Sequence, residues 1–345
     1  MALLLIAYYL AISLIAVYYA DRPLSRRGRW LLWGVGALLV VTATSRPPTM
    51  PDYEGRIDSF EAGYVGDHIE PTFMWLATIA KTIGSSPYIF LFLYAVLGIS
   101  LKLAAVRKYA PFIWVSVAIY LSHFYILHDL IQVRASVASA FLLLSIKPLY
   151  DRKFLPFFCL AFIASLFHYS AISIFVLYVF RPGKINRYLY AGIILAAYAL
   201  ALKGITFGTM GQYIPISPVR EGITRYQMVM EAGSFAEPLS LFNGRQILRC
   251  LTVFLLLFHI DKFNAQYKYA ILCLKIETLA IVCFLLLSDI PVLASRLSDL
   301  FFVIEIFTIP LLAYLFRPRR IAVLFPLGMG LLYLVLNSLN KSILP

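Results

Sequence analysis

The chain has 345 residues, 61% of them hydrophobic and 14% charged. Soluble domains are nearer about 45–50% apolar and about 25% charged, so a soluble globular domain is excluded. The formal charge of +13 does not point to nucleic acid, because the basic residues sit in short clusters between apolar runs and not on one domain.

In chain order, apolar runs fall at about 2–20, 30–45, 87–106, 111–127, 131–146, 154–167, 169–180, 188–203, 245–260, 269–287, 298–316 and 321–339. They predict an all-α polytopic membrane protein of about twelve transmembrane helices, in a single integral membrane domain, 1–345. Residues 2–20 lack a basic leader and run into Asp21 and Arg22, which predicts a spanning helix and not a cleavable signal peptide. Several runs are short. The pair 154–167 and 169–180 also reads as a re-entrant hairpin turning at His168, tolerable only if packed in protein or lining a cavity. Cys159, Cys250, Cys273 and Cys283 all lie inside apolar runs, read as small buried hydrophobes, and show no metal-type spacing.

Alternate loops are dense in Lys and Arg: DRPLSRRGR, RKYA, KPLYDRK, RPGKINR, DKFNAQYK and RPRR, with only Asp21, Asp151 and Asp261 opposing. The positive-inside rule puts them in the cytoplasm and both termini outside. Two long loops, about 46–86 and 204–244, then face the extracytoplasmic side. The first carries Asp52, Glu54, Asp58, Glu61, Asp67, His68 and Glu70, then an amphipathic stretch, PTFMWLATIAKTIG, predicted as an interfacial helix. The second carries Arg220 and Arg225 in PVREGITRYQMVM, a second interfacial candidate.

Arginine is scarce outside by the same rule, yet Arg134, Arg245, Arg249 and Arg296 all fall at predicted outer helix ends. Snorkelling to headgroups accounts for Arg134, Arg245 and Arg249 singly. Together they read as a site for an anion, since guanidinium grips phosphate bidentately. Arg245 and Arg249, at i and i+4, share a helix face and repel unless an anion lies between them. Asp299, three residues after Arg296, is a natural partner for it. His168 and His128 are candidate proton carriers, because imidazole titrates nearest neutrality. His123 reads as packing, and snorkelling accounts for Lys102 and Lys275. His128–Asp129 reads as a short outer turn, and Glu277 is where a transporter reading would start. The first-loop carboxylates match no specific metal loop.

Several stretches together resemble the Wzy/EpsG-type polysaccharide polymerases of bacterial envelopes. PDY at Pro51–Tyr53 and EAGYVGDHIEPTFMWL are similar to the family's acidic loop, and QVRASVASAFLLLS, with Arg134, to its arginine helix. FIASLFHYSAISIF, with His168, and ASRLSDLFFVIEIFTIP, with Arg296, resemble its later segments. The family's Asn ahead of the first arginine is absent here, where Gln132–Val133–Arg134 stands. The resemblance implies a GT-C-like fold in the bacterial inner membrane. It also implies an extracytoplasmic glycosyltransferase that joins oligosaccharide repeat units carried on undecaprenyl diphosphate, without metal or other cofactor. Its partners would be the lipid-linked donor and acceptor, the membrane and a chain-length regulator protein. In that chemistry Arg134, Arg245, Arg249 and Arg296 bind diphosphate, with Arg220, Arg225 and Tyr53 as further candidates. His168, Asp52 or Glu61 orients or deprotonates the acceptor, and His128 supports.

The alternatives are an O-antigen ligase, another lipid-linked GT-C enzyme, or a flippase for lipid-linked oligosaccharide. A flippase predicts polar residues through the bilayer midplane, whereas the sequence concentrates them at one face.

Overall fold

A computed structural model describes residues 1–62, 70–211 and 239–339. Among them the chain is helical throughout, with no strand. Six helices are long and apolar enough to cross a membrane: Ala2–Tyr19, Pro87–Tyr109, Ile113–Ile131, Val133–Tyr150, Pro291–Tyr314 and Arg319–Leu339. These make the chain a multi-pass membrane protein. The other predicted crossings form helices too. Phe154–Phe167, Tyr169–Val179, Arg187–Leu202, Gly244–Phe258 and Ala270–Leu286 are shorter, and Arg26–Thr44 opens on three arginines.

The arrangement follows from which helices can face lipid. Ala2–Tyr19 is apolar on all sides and lies at the edge, with Leu3, Leu10 and Leu14 exposed. Ile113–Ile131 carries Ser122, His123, His128 and Asp129, which are costly against lipid, and it runs through the middle with almost every side chain buried. Its second half, Tyr120–Ile131, is wound as a π-helix. The helix Pro87–Tyr109 packs closely on Val133–Tyr150, and Gly98 is the reason. A Cβ there would lie 2.0 Å from Ser136 Oγ and 2.8 Å from Asp129 Oδ1.

That close approach builds a buried polar knot. Lys102 Nζ donates to Asp129 Oδ2 at 2.9 Å and to Ser136 Oγ at 2.7 Å, and Tyr120 Oη donates to Asp129 Oδ2 at 2.7 Å. Lys102 therefore does not snorkel; it is fully buried with its charge met inside. Asp129 is not in an outer turn but at the centre of this knot. Glu277 is likewise buried and takes the Thr308 hydroxyl. Polar groups thus run through the bundle interior, which corrects the expectation that they gather at one face.

The basic loops meet at one end. Arg320 pairs with Asp21 at 3.3 Å, Lys262 donates to the Leu315 carbonyl, and Lys275 donates to the carbonyls of Arg181 and Lys184. The predicted hairpin is present: Phe154–Phe167 and Tyr169–Val179 fold back on each other, with the Phe158 and Phe175 rings 5.0 Å apart. Arg152 closes its open end by donating to the Phe180 carbonyl. His168, in extended backbone at φ −154°, forms the tip and is buried. Of the cysteines, Cys250 and Cys273 are buried, while Cys159 lies on the outer surface and Cys283 is half-buried, so the expectation holds for only two of them.

Candidate functional site

Opposite the basic loops, the hairpin tip, the first long loop and the amino end of Val133–Tyr150 converge. The amphipathic stretch forms the helix Pro71–Ile83, as expected. Pro71 at its first turn halts the incoming chain in extended form, so Glu70 ends buried under the helix start. Thr72 Oγ1 fixes this corner to the hairpin by donating to the Leu166 carbonyl at 2.7 Å.

Glu70 then meets two cationic or proton-carrying groups. Arg134 Nη1 pairs with its Oε2, and His168 Nδ1 lies 3.1 Å from its Oε1. Burial pushes the Glu70 carboxyl up, but the His168 hydrogen bond and the Arg134 charge outweigh it and hold the group below the usual carboxylate range. With the carboxylate accepting from Nδ1–H, Nε2 is the ring nitrogen left to exchange a proton. Nε2 is buried and has no hydrogen-bond partner among the described residues.

Beside this pair is a cavity of about 220 Å³ lined by Asp52, Arg56, Ser59, Phe73, Arg134 and Arg296. An adjoining recess of about 30 Å³ shares Asp52, Arg56, Arg134 and Arg296 and reaches Gln132 and His168. Three guanidinium groups therefore border one space with an imidazole at its edge. Arg296 is exposed and makes no ion pair or hydrogen bond among the described residues. The expected Arg296–Asp299 pair is not formed, because Asp299 turns to Arg249 at 3.1 Å. Arg56 reaches Asp52 Oδ2 at 3.1 Å and the Ile131 carbonyl. Burial lowers its pKa to about 10, with the nearby Arg134 charge adding to the shift and Asp52 opposing it. Arg46 works alongside, donating to the carbonyls of Asp129 and Leu130 at 3.0 and 2.7 Å. The two arginines thereby satisfy the orphan carbonyls at the end of the central helix, where its dipole is negative.

The structure separates the other sequence candidates from this space. Arg249 is buried in its own network, with Asp299, Glu305 at 3.4 Å, His123 Nε2 at 3.1 Å and the Phe302 ring 3.7 Å away. Its charge is met by carboxylates of the protein, and neither it nor Arg245 lines the cavity or the recess. His123 packs as expected and stacks on Tyr333. His128 is buried inside the π-helix against Ser139 at 3.2 Å and lines neither space. Glu61 is exposed at the end of Tyr53–Glu61, and Tyr53 is half-buried at its start; neither lines the cavity. Arg220 and Arg225 lie outside the described residues.

Sequence reasoning missed Glu70, Arg56 and Arg46. Glu70 and Arg56 each had a faint signal, an acid immediately before a helix-starting proline and a basic residue four after Asp52. Among the described residues no group of three His, Cys, Asp or Glu side chains is placed to hold a metal ion.

The EpsG family model matches residues 29–345. The amylovoran biosynthesis protein AmsC of Erwinia amylovora is 27% identical over 135 residues, 39% of this chain and 36% of that protein, so the match spans about a third of the relative's length. No solved structure matches.

Proposed function

The chain belongs to the EpsG family, and from that premise we propose that it is a membrane glycosyltransferase of polysaccharide biosynthesis, a polymerase that joins oligosaccharide repeat units carried on undecaprenyl diphosphate. The observation that carries the reading is the cavity lined by Arg56, Arg134 and Arg296, whose adjoining recess reaches His168, a residue with a buried, unpartnered Nε2. A diphosphate leaving group gathers negative charge as its bond to the sugar breaks, and preorganised arginines stabilise that charge most where water is excluded.

In this scheme Arg134 and Arg296 hold the donor's diphosphate, and Arg56 adds positive charge from the same lining. The acceptor sugar's hydroxyl gives its proton to His168 Nε2. The freed oxygen bonds to the donor's anomeric carbon, and the bond from that carbon to the diphosphate oxygen breaks, the electron pair leaving with undecaprenyl diphosphate. Attack from the face opposite the leaving group inverts the anomeric carbon. Glu70 keeps Nδ1 protonated and balances the imidazolium that forms. The reading takes the site to face the extracytoplasmic side of the bacterial inner membrane, because the Lys- and Arg-rich loops cluster at the other end.

The test is reconstitution. Purified protein supplied with a lipid-linked repeat unit should produce a ladder of longer products, and Arg134→Ala or Arg296→Ala should abolish the ladder in folded protein. Flipping of the same lipid in vesicles without a ladder would overturn the polymerase reading in favour of a transporter. A single transfer to a lipid A core acceptor would make the protein a ligase.

A further inference from the structure

At the basic end of the bundle, the helix Arg26–Thr44 carries a side-chain patch that the proposed chemistry does not use. Arg26, Arg29, Trp30 and Trp33, at i, i+3, i+4 and i+7, share one helix face and line a surface recess of about 350 Å³. The other side of the helix is taken up by packing. Leu32 and Leu39 are fully buried, and a Cβ at Gly36 would lie 2.6 Å from Leu103 Cδ1 on Pro87–Tyr109. Neither Arg26 nor Arg29 makes an ion pair or a side-chain hydrogen bond among the described residues, and the first turn of the helix holds no acid. Like charges at i and i+3 repel, and a cation at a helix start also opposes the dipole, so this placement costs stability unless an anion from outside meets it. Trp30 is 70% exposed, and its ring suits the level of lipid headgroups. Farther along the same side Gly34, Ala37 and Val41 are exposed, and nothing lies within 4 Å of where a Gly34 Cβ would stand. A shallow apolar strip therefore runs directly from the two cations into the spanning part of the helix.

We propose that this face is a binding site for an anionic phospholipid, separate from the Arg134 cavity and independent of the role given to it. Arg26 and Arg29 donate to the headgroup phosphate, Trp30 and Trp33 flank the glycerol and ester region, and an acyl chain lies along Gly34, Ala37 and Val41. A zwitterionic lipid fits less well, because it brings a cation of its own to the two guanidinium groups. The continuity of the cations with the apolar strip is what selects a lipid, since a soluble anion would use only the arginines.

The experiment uses the full chain carrying Arg134→Ala and Arg296→Ala, so that the other arginine cavity does not contribute. Phosphatidylglycerol or phosphatidylcholine is titrated into this protein in a non-ionic detergent, and bound lipid is counted by native mass spectrometry. Phosphatidylglycerol should bind in preference, and adding Arg26→Gln with Arg29→Gln should weaken it about 30-fold. Both arginines are exposed and unpaired, so these changes leave the fold intact. Phosphatidylglycerol should also raise the melting temperature of the protein with Arg26 and Arg29 in place and not of the Gln pair. A control pair, Arg107→Gln with Lys108→Gln, removes the same charge from exposed positions at the end of Pro87–Tyr109 and should leave the affinity unchanged. Equal binding of the two lipids, or unchanged affinity in the Arg26 and Arg29 pair, would overturn the proposal. So would an equal loss in the control pair, which would mark attraction to overall charge and no site.

Discussion

His168 Nδ1 lies 3.1 Å from Glu70 Oε1, and the other oxygen of the same carboxylate pairs with Arg134. One buried acid thus fixes both the imidazole and the guanidinium, residues far apart in sequence. A change at Glu70 should therefore reach both halves of the proposed chemistry. Glu70→Gln keeps the shape but permits the wrong imidazole tautomer and frees Arg134. Polymerisation should fall by about 100- to 10,000-fold, as when the orienting group of a proton carrier is lost. Product-ladder rates measured with protein of unchanged gel-filtration behaviour check this.

The same carboxylate links stability to pH. Its folded pKa lies below the ordinary carboxylate value, so folding favours the ionised form. That stabilisation is fully present above the unfolded value of about 4.3 and is lost as pH falls through the lower folded value. Wild-type protein should lose melting temperature more steeply than Glu70→Gln as pH drops below about 4.3. Thermal unfolding in detergent across that window measures it, and parallel curves would remove Glu70 as a contributor.

Arg249 pairs with Asp299 and Arg296 does not, and the two arginines are in opposite situations. Arg296 is exposed with no protein partner among the described residues, so Arg296→Ala should leave the melting temperature nearly unchanged while activity falls about 100- to 1,000-fold. Arg249→Ala leaves Asp299 and Glu305 without their cation, which costs about 3–5 kcal/mol where charges are buried. Its loss should therefore appear as unfolding or poor yield. An Arg249→Ala protein as stable as wild type would return that residue to the list of ligand-binding candidates.

Some of this was legible from residue order and some was not. Apolar runs and charge alternation locate the helices and the basic end, since bilayer thickness and the cost of burying charge act locally on the chain. The proximity of Arg134, His168 and Arg296 is foreshadowed only by their common helix-end level. Which acid joins them was hidden. The first loop offers six carboxylates, and only packing of Pro71–Ile83 on the hairpin tip buries Glu70 while leaving Asp52 and Glu61 exposed. Lys102 was misread for a related reason: its partner Asp129 lies on the central helix, and Gly98 lets the helices carrying Lys102 and Ser136 pack closely around that carboxylate.

Gly98 offers the sharpest packing test. Gly98→Ala puts a methyl group within 2.0 Å of Ser136 Oγ and 2.8 Å of Asp129 Oδ1. Neither neighbour is a flexible chain end, because both are tied to Lys102. The helix Pro87–Tyr109 must then move off Val133–Tyr150, stretching the Lys102 bonds in a fully buried site. The expected result is a large loss of stability, comparable to breaking a buried ion pair at about 3–5 kcal/mol. The knot also holds the π-helix whose last carbonyls receive Arg46 and Arg56, so the disturbance should extend to the cavity wall. Adding Ser136→Gly removes the Oγ that the new methyl group meets and should recover part of the lost melting temperature, although Lys102 gives up one acceptor. Unfolding curves of the single and double variants, compared as a cycle, decide the matter: an additive cycle would mean that Gly98 is not there to admit Ser136.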